Sequence, residues 1–227
     1  MDKVSDKQKL LWYASETVDN GWTRDVLVHQ IKTDLYKRQV AAPKVSNFGE
    51  RLPSPQSELA IQTMKDPYIF EIVDLARKSG ERDIENALVR DVTRLLLEFG
   101  TGFAFIGNQY HIEVGGEDFY IDLLFYNLKL RCYVVVELKT GQFRPEHAGK
   151  LNFYLSAVDA VLKTEHDNPT IGYVLCGDKN NVIAEYALKD ISKPVGVSEY
   201  QIVTKIPKEF ENILPSAEDI KTRIKFE

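Results

Sequence analysis

A chain of 227 residues can bury one good core plus a small appendage, and 44% hydrophobic with 28% charged residues is an ordinary globular balance. No run approaches the roughly 20 apolar residues of a membrane-spanning helix, no signal-peptide pattern opens the chain, and no membrane partner is expected. Two cysteines, Cys132 and Cys176, lie in apolar runs and read as free thiols of a cytoplasmic protein, while the histidines have no spacing that would build a zinc site with them. The net charge of −5 runs against a broadly basic, nucleic-acid-binding surface.

The chain opens on two helices over 3–37, broken at Asn20 and Gly21. Leu10, Leu11 and Val18 mark the first, and Val26, Leu27, Ile31 and Leu35 the second. So short a segment, taken as 1–38, cannot close a core alone. It needs the rest of the chain, missing sequence or a second copy, and a homodimer through these helices is the expectation. Residues 39–57, polar and holding Pro43, Pro53 and Pro55, read as a linker to a main domain over 58–206.

Within that domain, a helix is predicted over 81–99 with the apolar stripe Ile84, Leu88, Leu95 and Phe99, stopped by Gly100. Glu85 lies beside the stripe, in line with Leu88, Val89 and Val92. It can point inward, or it can be a solvated acid favoured by the helix dipole. A strand over 102–114 places Gln109 and His111 on one face by alternation.

The next two runs carry the chemistry. Residues 119–126 read Phe-Tyr-Ile-Asp-Leu-Leu-Phe-Tyr and residues 133–139 read Tyr-Val-Val-Val-Glu-Leu-Lys. Such apolar, β-branched and aromatic runs form buried strands, where the ionisable residues Asp122, Glu137 and Lys139 are costly unless they bind something. Glu137 and Lys139 share a face. With a two- or four-residue turn centred on 127–130, Asp122 falls opposite Val135, one step from Glu137 and on its face. Two carboxylates and an ammonium then converge. Hard cations such as Mg²⁺ take oxygen ligands and keep several waters, so two carboxylates and a substrate phosphate suffice. The pattern points to cation-dependent phosphodiester hydrolysis, with the lysine orienting the attacking water or neutralising developing charge. The competing reading is an Asp at a strand end and a Glu–Lys pair bridging a sheet edge.

A helix over 145–162, a strand over 170–177, a helix over 180–188 and one or two strands over 195–203 follow, and the tail 207–227 reads as helical. This order predicts an α/β fold. From Lys129 to Lys150 five basic residues face two acidic ones, so Arg144, Lys150 and His147 can contact phosphates there or form a solvated patch.

The region around Asp122 resembles the PD-(D/E)XK nuclease superfamily, with Asp122 as the first acid and Glu137-Leu138-Lys139 as (D/E)XK; Ile121 stands where the proline would be. The run Gly107-Asn-Gln-Tyr-His-Ile-Glu-Val-Gly-Gly116 through Ala148-Gly-Lys-Leu-Asn-Phe-Tyr-Leu-Ser-Ala-Val-Asp159 resembles the bacterial YhcG-type nuclease family, and the likeness extends over about 8–205. It implies a restriction-endonuclease-like mixed central sheet flanked by helices. It also implies a helical region before the nuclease domain, near whose end this chain begins, as a piece of a longer protein would.

The resemblance further implies Mg²⁺ (or Mn²⁺) as cofactor, held by Asp122, Glu137 and a helix acid, for which Glu85 is the candidate ahead of Glu81 and Asp91. The substrate implied is nucleic acid, DNA first. Lys150 and Tyr154 match the position of a Gln-x-x-x-Tyr element, lysine replacing glutamine, on one helix face. Lys150 can bind a phosphate or be a solvated charge; Tyr154 can serve the site or be a core aromatic. Gln109 is a candidate nucleic-acid contact and His111 a weaker catalytic candidate. The alternative function is a catalytically weak nuclease-fold module that binds nucleic acid or a protein partner.

Overall fold

In the computed structural model, residues 6–72 and 80–203 are described, so the expected tail over 207–227 lies outside them. The longest apolar runs become the centre of a seven-stranded mixed sheet. Strands β3 (Phe103–Val114), β4 (Glu117–Asn127) and β5 (Cys132–Gln142) form an antiparallel meander, and β5 then pairs in parallel with β6 (Ile171–Asp178), and β6 with β7 (Val195–Val203). On the far edge β7 pairs with β1 (Val45–Ser46) near one end and with β2 (Tyr68–Glu71) near the other. This is the expected α/β architecture, a mixed central sheet flanked by helices.

Each face of the sheet has its own core. On one face α5 (Glu81–Arg90) and α6 (Val92–Phe99) bury Ile84, Leu88, Leu95 and Phe99 against Leu123, Phe125, Val134, Val136 and Leu138. On the other, α7 (Pro145–Val161) and α8 (Asn181–Lys189) bury Leu151, Leu155, Val158 and Leu188 against Leu124, Val135, Val174 and Val197. Alternation along β4 and β5 feeds both layers, which is why these strands read as continuous apolar runs. Helix α7 lies close to β6 at Gly172, where a Cβ would meet Leu151 Cδ2 at 2.8 Å.

Several expectations are corrected. The helix expected over 81–99 is two helices, because Asp91 leaves helical geometry (φ −120°, ψ 66°) and its carboxylate caps α6 by accepting from Arg94 N. The segment 39–57, expected as a linker, is packed into the domain, with helix α3 (Phe48–Arg51) inside it and α4 (Gln56–Thr63) beginning at its end: Val45, Phe48 and Leu52 are buried, and Asn47 donates to Ile191 O and Lys193 O and accepts from Val195 N. Strand β2, unforeseen in the sequence, is short and follows Pro67. The N-terminal helices, α1 (Lys7–Asn20) and α2 (Arg24–Lys32), break at Gly21, which is left-handed at φ 62°. They dock on their own chain: Tyr13 and Leu35 are buried, and Gln30 donates to Leu97 O.

The turn between β4 and β5 differs as well. It comprises residues 128–131 rather than 127–130, because the buried Asn127 carboxamide accepts from Lys129 N and Leu130 N and keeps Asn127 paired with Cys132. Val135 therefore faces Leu124, not Asp122, and Leu123 faces Val136. The shift is two residues, so Asp122 keeps its face and moves level with Glu137.

Candidate active site

The β4–β5 ladder ends at Leu123 and Val136, and the next residues do the site's work. Asp122 Oδ2 accepts from Leu138 N at 2.9 Å, so a side chain replaces the backbone partner the diverging strand has lost. Strand β4 turns over at this point. Ile121 packs toward α7 and Leu123 toward α5, although residues two apart in a regular strand share a face. Opposite, Gln109 is left-handed at φ 44°, and no pair forms between it and Asp122.

Lys139 ties the acids together. Its Nζ lies 3.0 Å from Glu81 Oε2, 3.6 Å from Glu137 Oε2 and 4.0 Å from Asp122 Oδ2, and it donates to Leu138 O at 2.7 Å. Glu137 is 1% exposed and takes a 2.8 Å contact from Lys150 Nζ through Oε2, while its Oε1 is buried with no hydrogen-bond partner. Burial, then the neighbouring Asp122, pushes the Glu137 carboxyl up to about 7, against the pull of Lys150 and Lys139. Burial depresses the Lys150 ammonium, but Glu137 outweighs it and the net shift is upward. Lys150 also lies 5.0 Å from the Tyr154 ring centre, and Tyr154 donates its hydroxyl to Tyr120 O at 3.0 Å.

Glu85 is buried on α5 and accepts from Asn108 Nδ2 at 2.8 Å and Gln109 Nε2 at 2.6 Å. Gln109 Nε2 also reaches Asp122 Oδ1 at 3.3 Å, so one amide nitrogen spans both carboxylates. The structure thus brings together Glu85, Gln109, Asp122, Glu137, Lys139, Lys150 and Tyr154. Arg144 lies outside this set, exposed at the start of α7 and 3.7 Å from Glu146. His111 pairs instead with Asp118 at 2.6 Å, and Asp91 with Arg94 at 3.0 Å.

Three contributors were missed or ranked low. Glu81, placed behind Glu85 in the sequence reading, bonds both Lys139 Nζ and Thr140 N; its i, i+4 spacing from Glu85 was the available signal. Asn108 and Arg82 reach the site only through the crossing of α5 over β3, which no local pattern encodes.

The donor set fits a hard cation. Its oxygens are carboxylates, and the orphaned Glu137 Oε1 is a buried acceptor for which the protein supplies nothing. Among the described residues no three His, Cys, Asp or Glu side chains form a complete cage. Two carboxylates would leave coordination positions for water and phosphate. A cavity of about 600 Å³ lies elsewhere, lined by Trp22, Gln30, Leu96 and Phe99 among others. The carboxylate site is an open shelf, with the side chains of Glu81 and Lys150 42% and 45% exposed.

Residues 61–215 match the YhcG PDDEXK nuclease domain, and the chain belongs to that nuclease family. It is 34% identical over 192 residues to the Escherichia coli (strain K12) protein named "Putative nuclease YhcG", covering 84% of this chain and 51% of that protein. The chain therefore spans about half the length of that curated relative. Among solved structures it is similar to a repair endonuclease from Pyrococcus abyssi (TM-score 0.37, 14% identity, 57% of this chain and 49% of that one). It is also similar to EndoMS in a complex with double-stranded DNA (TM-score 0.39, 14% identity, 60% and 48%). No described helix is long and apolar enough to cross a membrane.

Proposed function

We propose that this chain hydrolyses phosphodiester bonds in nucleic acid, DNA being the substrate class, with a divalent cation, Mg²⁺ or Mn²⁺. Asp122 and Glu137 would hold the cation, with Glu85 behind them. The observation that carries this reading is the unpartnered, buried Glu137 Oε1 beside Asp122 and Lys139. When bound, the cation supplies positive charge against the scissile phosphate and activation of the attacking water. The chain supplies the rest. Lys139, held by Glu81 and by Leu138 O, presents an ammonium that orients the nucleophile or neutralises charge on the phosphoryl oxygens. Lys150, Gln109 and the exposed Arg144 are the contacts proposed for the nucleic acid backbone, and the buried thiols fit a cytoplasmic setting. A homodimer would draw on Leu11 and Val18, which α1 leaves exposed.

The direct test is cleavage of plasmid and oligonucleotide DNA with Mg²⁺ and with chelator, on wild type and Lys139→Ala. Cation-dependent products lost in the variant support the reading; equal cleavage by both would mean that another nuclease in the preparation cuts. A binding module without turnover is favoured by one observation, the Lys150 ammonium already on Glu137. Salt-dependent DNA binding with no cleavage under any divalent ion would establish it.

Lys150 yields a separate prediction. Its charge lowers the Glu137 pKa, so Lys150→Ala raises it above about 7. The acid limb of the pH–rate profile then moves to higher pH: for a shift of about one pKa unit, activity falls about fivefold at pH 7 and recovers by pH 9. A loss that is uniform at all pH values would mean that Lys150 acts on substrate alone and not through Glu137 as well.

A further inference from the structure

Gln109 is a costly residue for the place it occupies. It is left-handed at φ 44° in the middle of a strand, a conformation that a residue with a Cβ rarely keeps unless its surroundings demand it. Its carboxamide explains the demand. The Nε2 group donates to Glu85 Oε2 at 2.6 Å and to Asp122 Oδ1 at 3.3 Å, and Arg82 Nη1 donates to its Oε1 at 3.0 Å. Arg82 thereby fixes the orientation of the amide, oxygen outward and hydrogens toward the acids.

The remaining oxygens of the two acids are engaged too, Glu85 Oε1 by Asn108 and Asp122 Oδ2 by Leu138 N. All four therefore already accept from N–H groups, and Gln109 is the donor that touches both acids. Amide hydrogens carry partial positive charge and aim at the lone pairs a cation would use. The amide and a cation exclude one another between Glu85 and Asp122.

We propose that Gln109 is a latch: its amide bridges Asp122 and Glu85 across the lone pairs a divalent ion would use, and it must withdraw for the ion to bind. Arg82 is the catch, since it holds the amide in the closed orientation. A phosphate is a stronger partner for a guanidinium than a carboxamide oxygen, so substrate arriving at Arg82 loosens the latch as it docks. This inference rests on the reading of Asp122, Glu137 and Glu85 as cation ligands.

The test is calorimetric titration of Mn²⁺ into the full chain without nucleic acid, with cation-induced melting shifts beside it. Gln109→Gly is the informative variant, because glycine tolerates the left-handed backbone while the side chain that carries the amide is removed. It should bind Mn²⁺ about tenfold tighter than wild type and show the larger rise in melting temperature. Arg82→Ala should move both readouts in the same direction by a smaller factor, and it serves if the glycine variant does not fold. Wild type that binds Mn²⁺ together with variants that bind equally or more weakly would overturn the latch alone. No Mn²⁺ binding by any of the three proteins would overturn both the latch and the cation reading beneath it.

Discussion

Glu137→Gln will abolish cation-dependent cleavage and, in the same molecule, stabilise the cation-free protein at pH 8. The substitution keeps size and hydrogen-bonding reach but removes the charge. A cation ligand's contribution of several kcal/mol corresponds to a loss of about three orders of magnitude in rate. The stability effect follows from the shift of the Glu137 carboxyl from 4.5 to about 7. For this acid the folded pKa lies above the unfolded one, so the folded state favours the protonated form. The favourable contribution is complete below pH 4.5, falls as pH rises, and is gone above about pH 7.

By then the ionised, buried carboxylate costs on the order of 3 kcal/mol relative to a neutral side chain. The carboxamide of the Glu137→Gln variant cannot ionise and escapes that slope. Thermal or urea unfolding in chelator should show Glu137→Gln above wild type at pH 8, with the difference closing toward pH 4.5. Protons and cations also compete for this carboxylate, so cation affinity in wild type should strengthen as pH rises through about 7. A variant that cuts at the wild-type rate would remove Glu137 from the site. One that is less stable at pH 8 would mean that the Lys150 contact outweighs desolvation.

Much of this centre was legible because it is local. Asp122, Glu137 and Lys139 stand out as charges in apolar runs, whereas Lys150 and Tyr154 came only from the resemblance to a Gln-x-x-x-Tyr element, which places them on one helix face. What was illegible depends on pairs distant in sequence. The register slipped by two residues because Asn127 turns its own side chain into the turn's acceptor, a choice the neighbouring polar residues did not announce. The helix over 81–99 divided because Asp91 prefers to cap. Alternation alone puts Gln109 on one strand face with His111. Its left-handed turn, and the reversal of β4 opposite, put its amide between the acids while His111 pairs with Asp118. The packing of 39–57 escaped notice because three prolines and a polar composition describe a surface-hugging edge as well as a linker.

The largest expected loss of stability lies away from the catalytic shelf, at the buried pair Arg38 and Glu98, 4% and 2% exposed and 2.6 Å apart. Arg38 also donates to Thr33 O at 2.8 Å and Pro67 O at 3.1 Å, while Glu98 Oε1 accepts from Ile69 N at 2.8 Å and Lys65 Nζ reaches Glu98 O. This knot joins the end of the N-terminal segment to α6 and to the edge strand β2. Glu98→Ala leaves a guanidinium buried without its counter-charge and an amide without its acceptor, and should cost about 3–5 kcal/mol. At about 2–4 °C per kcal/mol for a chain of this size, melting should fall by roughly 10 °C. The double variant Arg38→Met, Glu98→Leu removes both charges together and should recover most of the loss, which separates an uncompensated charge from lost packing. In Glu98→Ala, limited proteolysis should release residues up to about 41 before the sheet is cut. If the helices served only to join two copies, Glu98→Ala would weaken association measured by light scattering and leave the unfolding midpoint of a dilute monomer where it was.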